Sequence, residues 1–193
     1  MAGGICVNIR KNVLWITRTA VLIAVLVAVQ FFTASFGNTI VTGSCVNLVL
    51  VVSFLIGGLA TGLTVAIISP VFASLAGVGP AFPPLVPFIA LGNAVFVAVW
   101  FLLSFLNKSD KTSVRYRVIG YLIAIISAAI KFLTLYTGIV LIAVPYILRL
   151  NEKQSAMLTF SFSYPQLITA TIGGVIALSL VPPIQKAINT RTR

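Results

Sequence analysis

Long stretches of this chain contain no charged residue. From Thr19 through Asn107 there is no Asp, Glu, Lys or Arg, and the stretches 118–148 and 154–185 contain only one charge between them, Lys131. A soluble domain needs charge over its surface, whereas hydrocarbon penalises a charged side chain at mid-depth by about 2.5 to 3.5 kcal/mol on insertion scales. The pattern therefore predicts an all-α integral membrane protein.

Turn-forming residues divide the apolar stretches into six predicted spans. The predicted turns and loops are 36–39, Gly57-Gly58, 77–87, 107–117 and 149–163. The spans between them are 13–34, 44–56, a third that ends at residue 76, 88–105, 118–144, and 164–180, the last closed by Pro182-Pro183. Spans two and three are short for a hydrocarbon core about 30 Å thick, so tilt or burial among other helices has to compensate. Residues 1–193 make one domain.

Basic residues form three clusters that a six-span topology places on one side of the membrane. They are Arg10, Lys11 and Arg18; Lys108, Lys111, Arg115 and Arg117; and Lys186, Arg191 and Arg193. Positive charge beside apolar spans marks the cytoplasmic side. An even number of spans returns the chain to its starting side, so we predict that both termini are cytoplasmic. The formal charge of +11 is thus attributed to topology, and no nucleic-acid partner is expected.

The residues that most catalytic and metal sites require are missing. The chain has no His, and its only acidic residues, Asp110 and Glu152, lie in loops that six spans place on opposite sides. A Ser-His-Asp arrangement, a carboxylate pair and a metal site are therefore not expected, nor is a cofactor. A Ser-Lys dyad of Ser127 and Lys131 is conceivable, but ordinary packing explains that pair equally. We expect no enzyme, and the absence of a phosphate-binding loop means that any transport energy comes from another subunit.

Polar residues gather toward the predicted outer ends of the spans, namely Asn38, Asn47, Asn93, Tyr164 and Gln166. Any one of them could merely satisfy a neighbouring backbone group. Together, against an inner half that is almost purely apolar, they favour an outward-facing pocket for a small molecule. Phe82 is expected at the tip of the loop 77–87.

Lys131 lies inside the fifth predicted span, about 21 Å along the helix from Arg117 and past the midplane. No acidic side chain in any span can neutralise it, and Ser127 and Thr134, one turn either side, could solvate its ammonium. We hypothesise that Lys131 binds an anionic group of the ligand, with Asn93 and Gln166 supplying hydrogen bonds. The alternative is a lysine that snorkels, or one held by backbone carbonyls and water without ligand contact.

Ala20, Ala24 and Ala28 repeat every four residues on the first span, and such a stripe lets another helix approach closely in lipid. With further motifs in order, the chain resembles the substrate-binding S components of energy-coupling factor (ECF) vitamin transporters over nearly its whole length. The motifs are Arg18-Thr19-Ala20 before that stripe, Thr42-Gly43-Ser44-x2-Asn47-Leu48, Ser69-Pro70, Gly77-Val78-Gly79-Pro80, Leu91-Gly92-Asn93-Ala94, and Pro165-Gln166-Leu167-Ile168-Thr169-Ala170 followed by Gly173-Gly174.

The resemblance implies a six-helix protein of the bacterial plasma membrane that captures a vitamin or related micronutrient from outside. It implies docking, through Ala20, Ala24 and Ala28, onto a transmembrane coupling subunit that carries two ATPase subunits. The loops 38–42 and 79–84 would close over the ligand, and the protein would tilt in the membrane on docking. A self-sufficient oligomeric carrier or channel, or a scaffold without transport activity, is the alternative.

Overall fold

The computed structural model describes residues 2–107 and 113–191, and its regular elements there are all helices. The α-helices are α1 (Ala2–Ala34), α2 (Thr39–Leu75), α3 (Val86–Ser104), α4 (Val114–Leu135), α5 (Glu152–Ser161) and α6 (Tyr164–Arg191). A 3-10 turn, Pro83–Leu85, precedes α3, and a π-helical segment, Tyr136–Leu148, continues α4. Five stretches are long and apolar enough to cross a membrane: Asn12–Ala34, Thr39–Leu75, Pro83–Ser104, Val114–Leu148 and Glu152–Pro182. The chain is a helical, multi-pass membrane protein, as the charge pattern predicts.

The helix α2 reverses direction at Gly58. The backbone there has φ 81° and ψ −178°, which glycine adopts without the steric penalty that a Cβ would bring. A Cβ built on Gly62 would lie 3.1 Å from the Cα of Phe54, whereas residues eight apart in an unbroken helix are separated by about 12 Å. The arms 39–57 and 59–75 therefore fold back on each other.

The reversal gives the bundle two ends, which we name by their turn residues. At the Gly58 end, Trp15 and Arg18 of α1 line a surface pocket together with Gly57. At the Asn38 end, Asn38 and Tyr164 line another pocket. The second arm of α2 runs alongside α1, since Phe72 shares a groove with Phe32 and its neighbours.

Close backbone contact joins α2 to α6. A Cβ built on Gly173 would lie only 2.6 Å from the backbone nitrogen of Leu48 and the carbonyl oxygen of Ser44. In lipid, where apolar surface gains little by leaving the solvent, such close van der Waals contact is the main force between helices. The main hydrophobic cluster lies around this junction and includes Leu50 and Phe96, both fully buried.

A second hydrophobic cluster joins the loop before α3 to the π-helical segment. Its buried members are Leu85, Leu135, Ile139 and Ala143. Phe82 packs against this cluster and is half-buried, so its ring is held by neighbouring side chains at the predicted loop tip.

Several predicted boundaries are wrong. The first predicted span, 13–34, is confirmed by the candidate span Asn12–Ala34, which is part of the longer helix α1. The helix α2, however, begins at Thr39, not at residue 44, because the Asn38 side chain caps it by accepting from the Ile40 amide at 2.9 Å. The predicted loop 149–163 contains α5, capped by Asn151, whose Oδ1 accepts from the Gln154 amide at 2.9 Å.

Two further boundaries differ at the ends of α4 and α6. The predicted fifth span continues as a π-helical segment to Leu148 and ends at Arg149, which adopts a left-handed conformation with φ 45°. The helix α6 continues to Arg191. Pro182 and Pro183 have no backbone N–H to donate, but they do not end the helix. In the predicted basic loop 107–117, Lys108, Asp110 and Lys111 lie outside the described residues.

Adding one methyl group at Gly173 should destabilise the protein far more than adding it to the next residue. Gly173→Ala forces backbone atoms apart, whereas a Cβ on Gly174 meets the Ala124 Cβ and the Trp100 ring at 3.1 Å. Overpacking of this kind costs about 1–3 kcal/mol. We expect thermal unfolding in detergent to show a clearly lower melting temperature for Gly173→Ala and a smaller decrease for Gly174→Ala. Equal melting temperatures of the two variants would contradict the close α2–α6 contact.

Candidate functional site

The ammonium of Lys131 is the charged centre of the helix bundle. Lys131 lies on α4 with 3% of its surface exposed, and its Nζ donates to Oδ1 of Asn47 on α2 and to Oδ1 of Asn93 on α3, each at 2.6 Å. The ring centroid of Phe96 lies 5.2 Å from Nζ, which is within the range of a cation–π contact. We call Lys131, Asn47, Asn93 and Phe96 the Lys131 cluster.

The amide of Asn47 is oriented by α2 and α6. Its Nδ2 donates to the Gly43 carbonyl at 2.8 Å and to the Thr169 hydroxyl at 3.4 Å, so its oxygen is left to face Lys131. The Thr169 hydroxyl in turn donates to the Gln166 carbonyl at 3.2 Å. Four helices, α2, α3, α4 and α6, therefore meet at this cluster.

No carboxylate neutralises Lys131 within residues 2–107 and 113–191. Glu152 is the only acidic residue among them, and it is exposed in the first turn of α5. A hydrogen bond to a charged group contributes about 1.5–3 kcal/mol net, and an intramembrane charge costs about 2.5–3.5 kcal/mol on insertion scales. The two amide oxygens can therefore offset the cost of burying the ammonium when no ligand is present.

The two hydroxyls that were expected to solvate Lys131 do not hydrogen-bond to it. Thr134 donates to the Ile130 carbonyl of its own helix at 2.9 Å. Ser127 is fully buried one turn before Lys131, and its hydroxyl has no hydrogen-bond partner in the described part of the chain. This unpartnered hydroxyl lies on the same face of α4 as the ammonium.

A surface cavity of about 380 Å³ lies at the Asn38 end, between the turn that joins α1 to α2 and the beginning of α6. Asn38 and Tyr164, both predicted site residues, line it. The Asn38 oxygen is already used to cap α2, and the Tyr164 ring, 55% exposed, packs edge-to-face against Phe160 with centroids 5.3 Å apart. Apart from Pro165, which is buried, the residues that line the cavity are exposed.

The cavity and the Lys131 cluster lie close together along the helices. Ile168 lines the cavity, and the next residue, Thr169, is a hydrogen-bond partner of Asn47. On α2, Ile40 of the cavity precedes Asn47 by seven residues, which is about 10 Å along the helix axis. Both features therefore belong to the Asn38 half of the bundle.

Two predicted site residues are placed differently from the rest. The Nε2 of Gln166, predicted to hydrogen-bond the ligand, donates to the Ser161 carbonyl at 3.2 Å and so joins α6 to α5. Phe82 belongs to the second hydrophobic cluster. The structure therefore brings together three of the seven predicted residues, Asn47, Asn93 and Lys131. Asn38 and Tyr164 lie at the cavity, and Gln166 is linked to the cluster through Thr169.

Gly43, Phe96 and Thr169 are not among the site residues predicted from the sequence. Gly43 and Thr169 lie in the motifs that carry the family resemblance, at helical spacing from Asn47 and Gln166, and that spacing was the available signal. Phe96 follows Asn93 by three residues on α3, so a shared face was predictable, but a contact with Lys131 was not. In the described ranges no group of three His, Cys, Asp or Glu side chains could hold a metal ion.

The alanine stripe on α1 faces away from the bundle. Ala20, Ala24 and Ala28 are exposed and line an apolar groove of about 620 Å³ that reaches Phe72 on α2. Among residues 12–34 of α1 the buried positions are Thr19, Leu26 and Thr33. At 3.6 residues per turn the two stripes lie about 160° apart around the helix.

No protein-family model, curated protein or solved structure matches the chain.

Replacing Asn47 should destabilise the protein more than replacing its weaker partner. Asn47→Leu removes one of the two oxygens that hold a buried ammonium, and leaving a buried charged group underpaired costs about 1–3 kcal/mol or more. Thr169→Val keeps the side-chain shape and loses two hydrogen bonds of the hydroxyl, at 3.4 Å with Asn47 and at 3.2 Å with the Gln166 carbonyl, neither of which involves a charged group. We expect a larger fall in thermal stability for Asn47→Leu, measured in detergent; equal effects would mean that the Asn47–Lys131 bond carries little stability.

Proposed function

We propose that this chain is the substrate-binding subunit of an ECF-type importer in a bacterial plasma membrane. It captures a vitamin or related micronutrient at the outer face and releases it inside after docking on a transmembrane coupling subunit that carries two ATPase subunits. The observation that carries the proposal is the uncovered alanine face of α1, joined to the ordered motifs of the family resemblance.

The helix α1 is the least covered of the five candidate spans. Only 11% of its apolar window is buried, against 33% to 44% for the others. Its alanine stripe is exposed, because in the described part of the chain α1 packs on α2 through the opposite face. In lipid, a stripe of small residues allows another helix to approach closely, which supports a membrane subunit as the docking partner.

We further propose six spans, with both termini cytoplasmic and the Asn38 end outside. The two arms of α2 supply the second and third spans, since each runs the opposite way from the other. Basic residues at the Gly58 end support this orientation: Arg18 lines a pocket with Gly57, and Arg115 and Arg117 flank Tyr116, which shares a pocket with Leu55 near the same end.

The docking proposal is tested by comparing Ala24→Trp with Val25→Trp. Both changes add the same side chain to exposed positions of α1, but Val25 lies about 100° around the helix from Ala24. We expect the tagged wild type and Val25→Trp to co-purify with subunits that hydrolyse ATP and to support uptake. Ala24→Trp should lose the ATPase subunits and uptake while the isolated chain still binds ligand.

The opposite results identify the alternatives. Uptake by the chain alone in liposomes, without any ATPase, would show a self-sufficient carrier or channel. Equal loss of ligand binding and uptake in Ala24→Trp would mean that the stripe serves packing within the chain. A purified chain that binds no small molecule and moves none would indicate a scaffold.

Topology is tested by cysteine labelling in intact cells. In a variant with Cys6 and Cys45 replaced by Ser, a cysteine introduced at Glu152 or Asn38 should react with a membrane-impermeant maleimide, and one at Asp110 should react only after permeabilisation. Asp110 lies outside the described residues, so this position reports on topology independently of the structure. Strong labelling at position 110 in intact cells would exclude the proposed orientation.

A further inference from the structure

We propose that the Lys131 cluster binds the anionic end of the ligand and that this end is a carboxylate. The inference depends on the proposed function only for the route by which the ligand arrives. The chemistry of binding is a property of the chain alone and can be measured without any partner subunit.

The cluster has more hydrogen-bond donors than acceptors. The Lys131 ammonium has three N–H groups and gives two of them to Asn47 and Asn93. The buried Ser127 hydroxyl has no hydrogen-bond partner among the described residues. The Asn47 amide nitrogen, in contrast, has two partners. The group that complements this arrangement accepts hydrogen bonds and donates none, as an ionised carboxylate does.

The charge balance leads to the same ligand class. A neutral ligand would leave the buried positive charge with amide oxygens alone, whereas a carboxylate would form an ion pair shielded from water. Asn47, Asn93 and Lys131 are each at most 3% exposed, so the ligand cannot simply add to the cluster. The carboxylate takes the place of one amide oxygen on Nζ and accepts from the remaining donors.

The position of the cluster is consistent with ligand entry from the Asn38 end. The cavity there reaches Ile168, adjacent to Thr169, and Thr169 hydrogen-bonds to Asn47. Because the cluster is buried, a vitamin-sized molecule that enters with its carboxylate first would reach Lys131 only when the helices between cavity and cluster part, and its other end would remain near the cavity.

The first test uses matched acid and neutral probes on the purified chain in detergent. The pairs are pantothenate with panthenol, biotin with biotinamide, and nicotinate with nicotinamide. We expect thermal shift and calorimetry to detect at least one acid and to show at least tenfold weaker binding of its neutral counterpart. Lys131→Met should lower the affinity for that acid at least tenfold, about 1.4 kcal/mol, and Lys153→Met, which removes the same charge from an exposed position, should leave it unchanged.

A second variant tests the proposal even if Lys131→Met does not fold. Asn93→Asp keeps the side-chain shape and places a carboxylate on the chain itself, 2.6 Å from Nζ if the geometry is retained. We expect this internal anion to preserve or raise thermal stability and to weaken binding of the acid at least tenfold by competing for the ammonium. Ser127→Ala should weaken binding a few-fold without changing stability, because its hydroxyl has no internal partner to lose.

Three results would overturn the proposal: wild-type affinity in a folded Asn93→Asp variant, equal binding of an acid and its neutral counterpart, or no binding of any acid in the panel. These outcomes are separate from those of the docking test. Acid binding that requires Lys131, in a chain that never associates with ATPase subunits, would retain the anion site and reject the importer. Association with ATPase subunits, in a chain whose ligand has no anionic group, would retain the importer and reject the anion site.

Discussion

The hydrogen bonds of the Lys131 ammonium constrain how four helices meet. Within an apolar bundle, helices attract one another mainly through shape, which many registers can satisfy. A buried charge is more demanding, because sliding α2 or α3 by one residue would move Asn47 or Asn93 away from Nζ and leave the ammonium underpaired. The Thr169 hydroxyl extends the constraint to α6 through the Asn47 amide. We infer that this polar contact selects one register among those that packing alone would allow.

Glycine makes that contact geometrically possible. Asn47 has a short side chain, so it can reach both Thr169 and Lys131 only where α2 and α6 lie unusually close. A Cβ on Gly43 would lie 3.0 Å from the Thr169 methyl group, and one on Gly173 would lie 2.7 Å from the Asn47 Cβ. The missing side chains thus create the space in which the polar cluster forms. Gly58 contributes differently, since its positive φ turns α2 back and lets one helix supply two antiparallel arms.

The sequence predicted the solvent of this protein better than the partners of its polar residues. Stretches without charge indicate membrane helices, because hydrocarbon excludes charged side chains. The spans contain no acidic residue, so the sequence also indicated that Lys131 needs neutral partners or a ligand. The periodicity of one helix, however, reports only neighbours on that helix. It therefore suggested Ser127 and Thr134, whereas Asn47 and Asn93 lie 84 and 38 residues away. The helix α5 was missed for a related reason: it is short and of mixed polarity, so its signal is the Asn151 cap, not an apolar run.

The structure separates the exposed face of α1 from the polar cluster and connects them through one helix. The helix α1 packs on α2 through Thr19, Leu26 and Thr33, and Thr19 hydrogen-bonds to Thr61 on the second arm at 3.4 Å. Asn47 lies on the first arm of the same α2, hydrogen-bonded to Lys131. A displacement of α1 would thus reach the Lys131 cluster through α2 and its reversal at Gly58, without requiring a direct contact of α1 with α3 or α4. In the proposed importer this makes α2 the element that links docking to ligand release, because any shift of its first arm changes the acceptors around a buried charge.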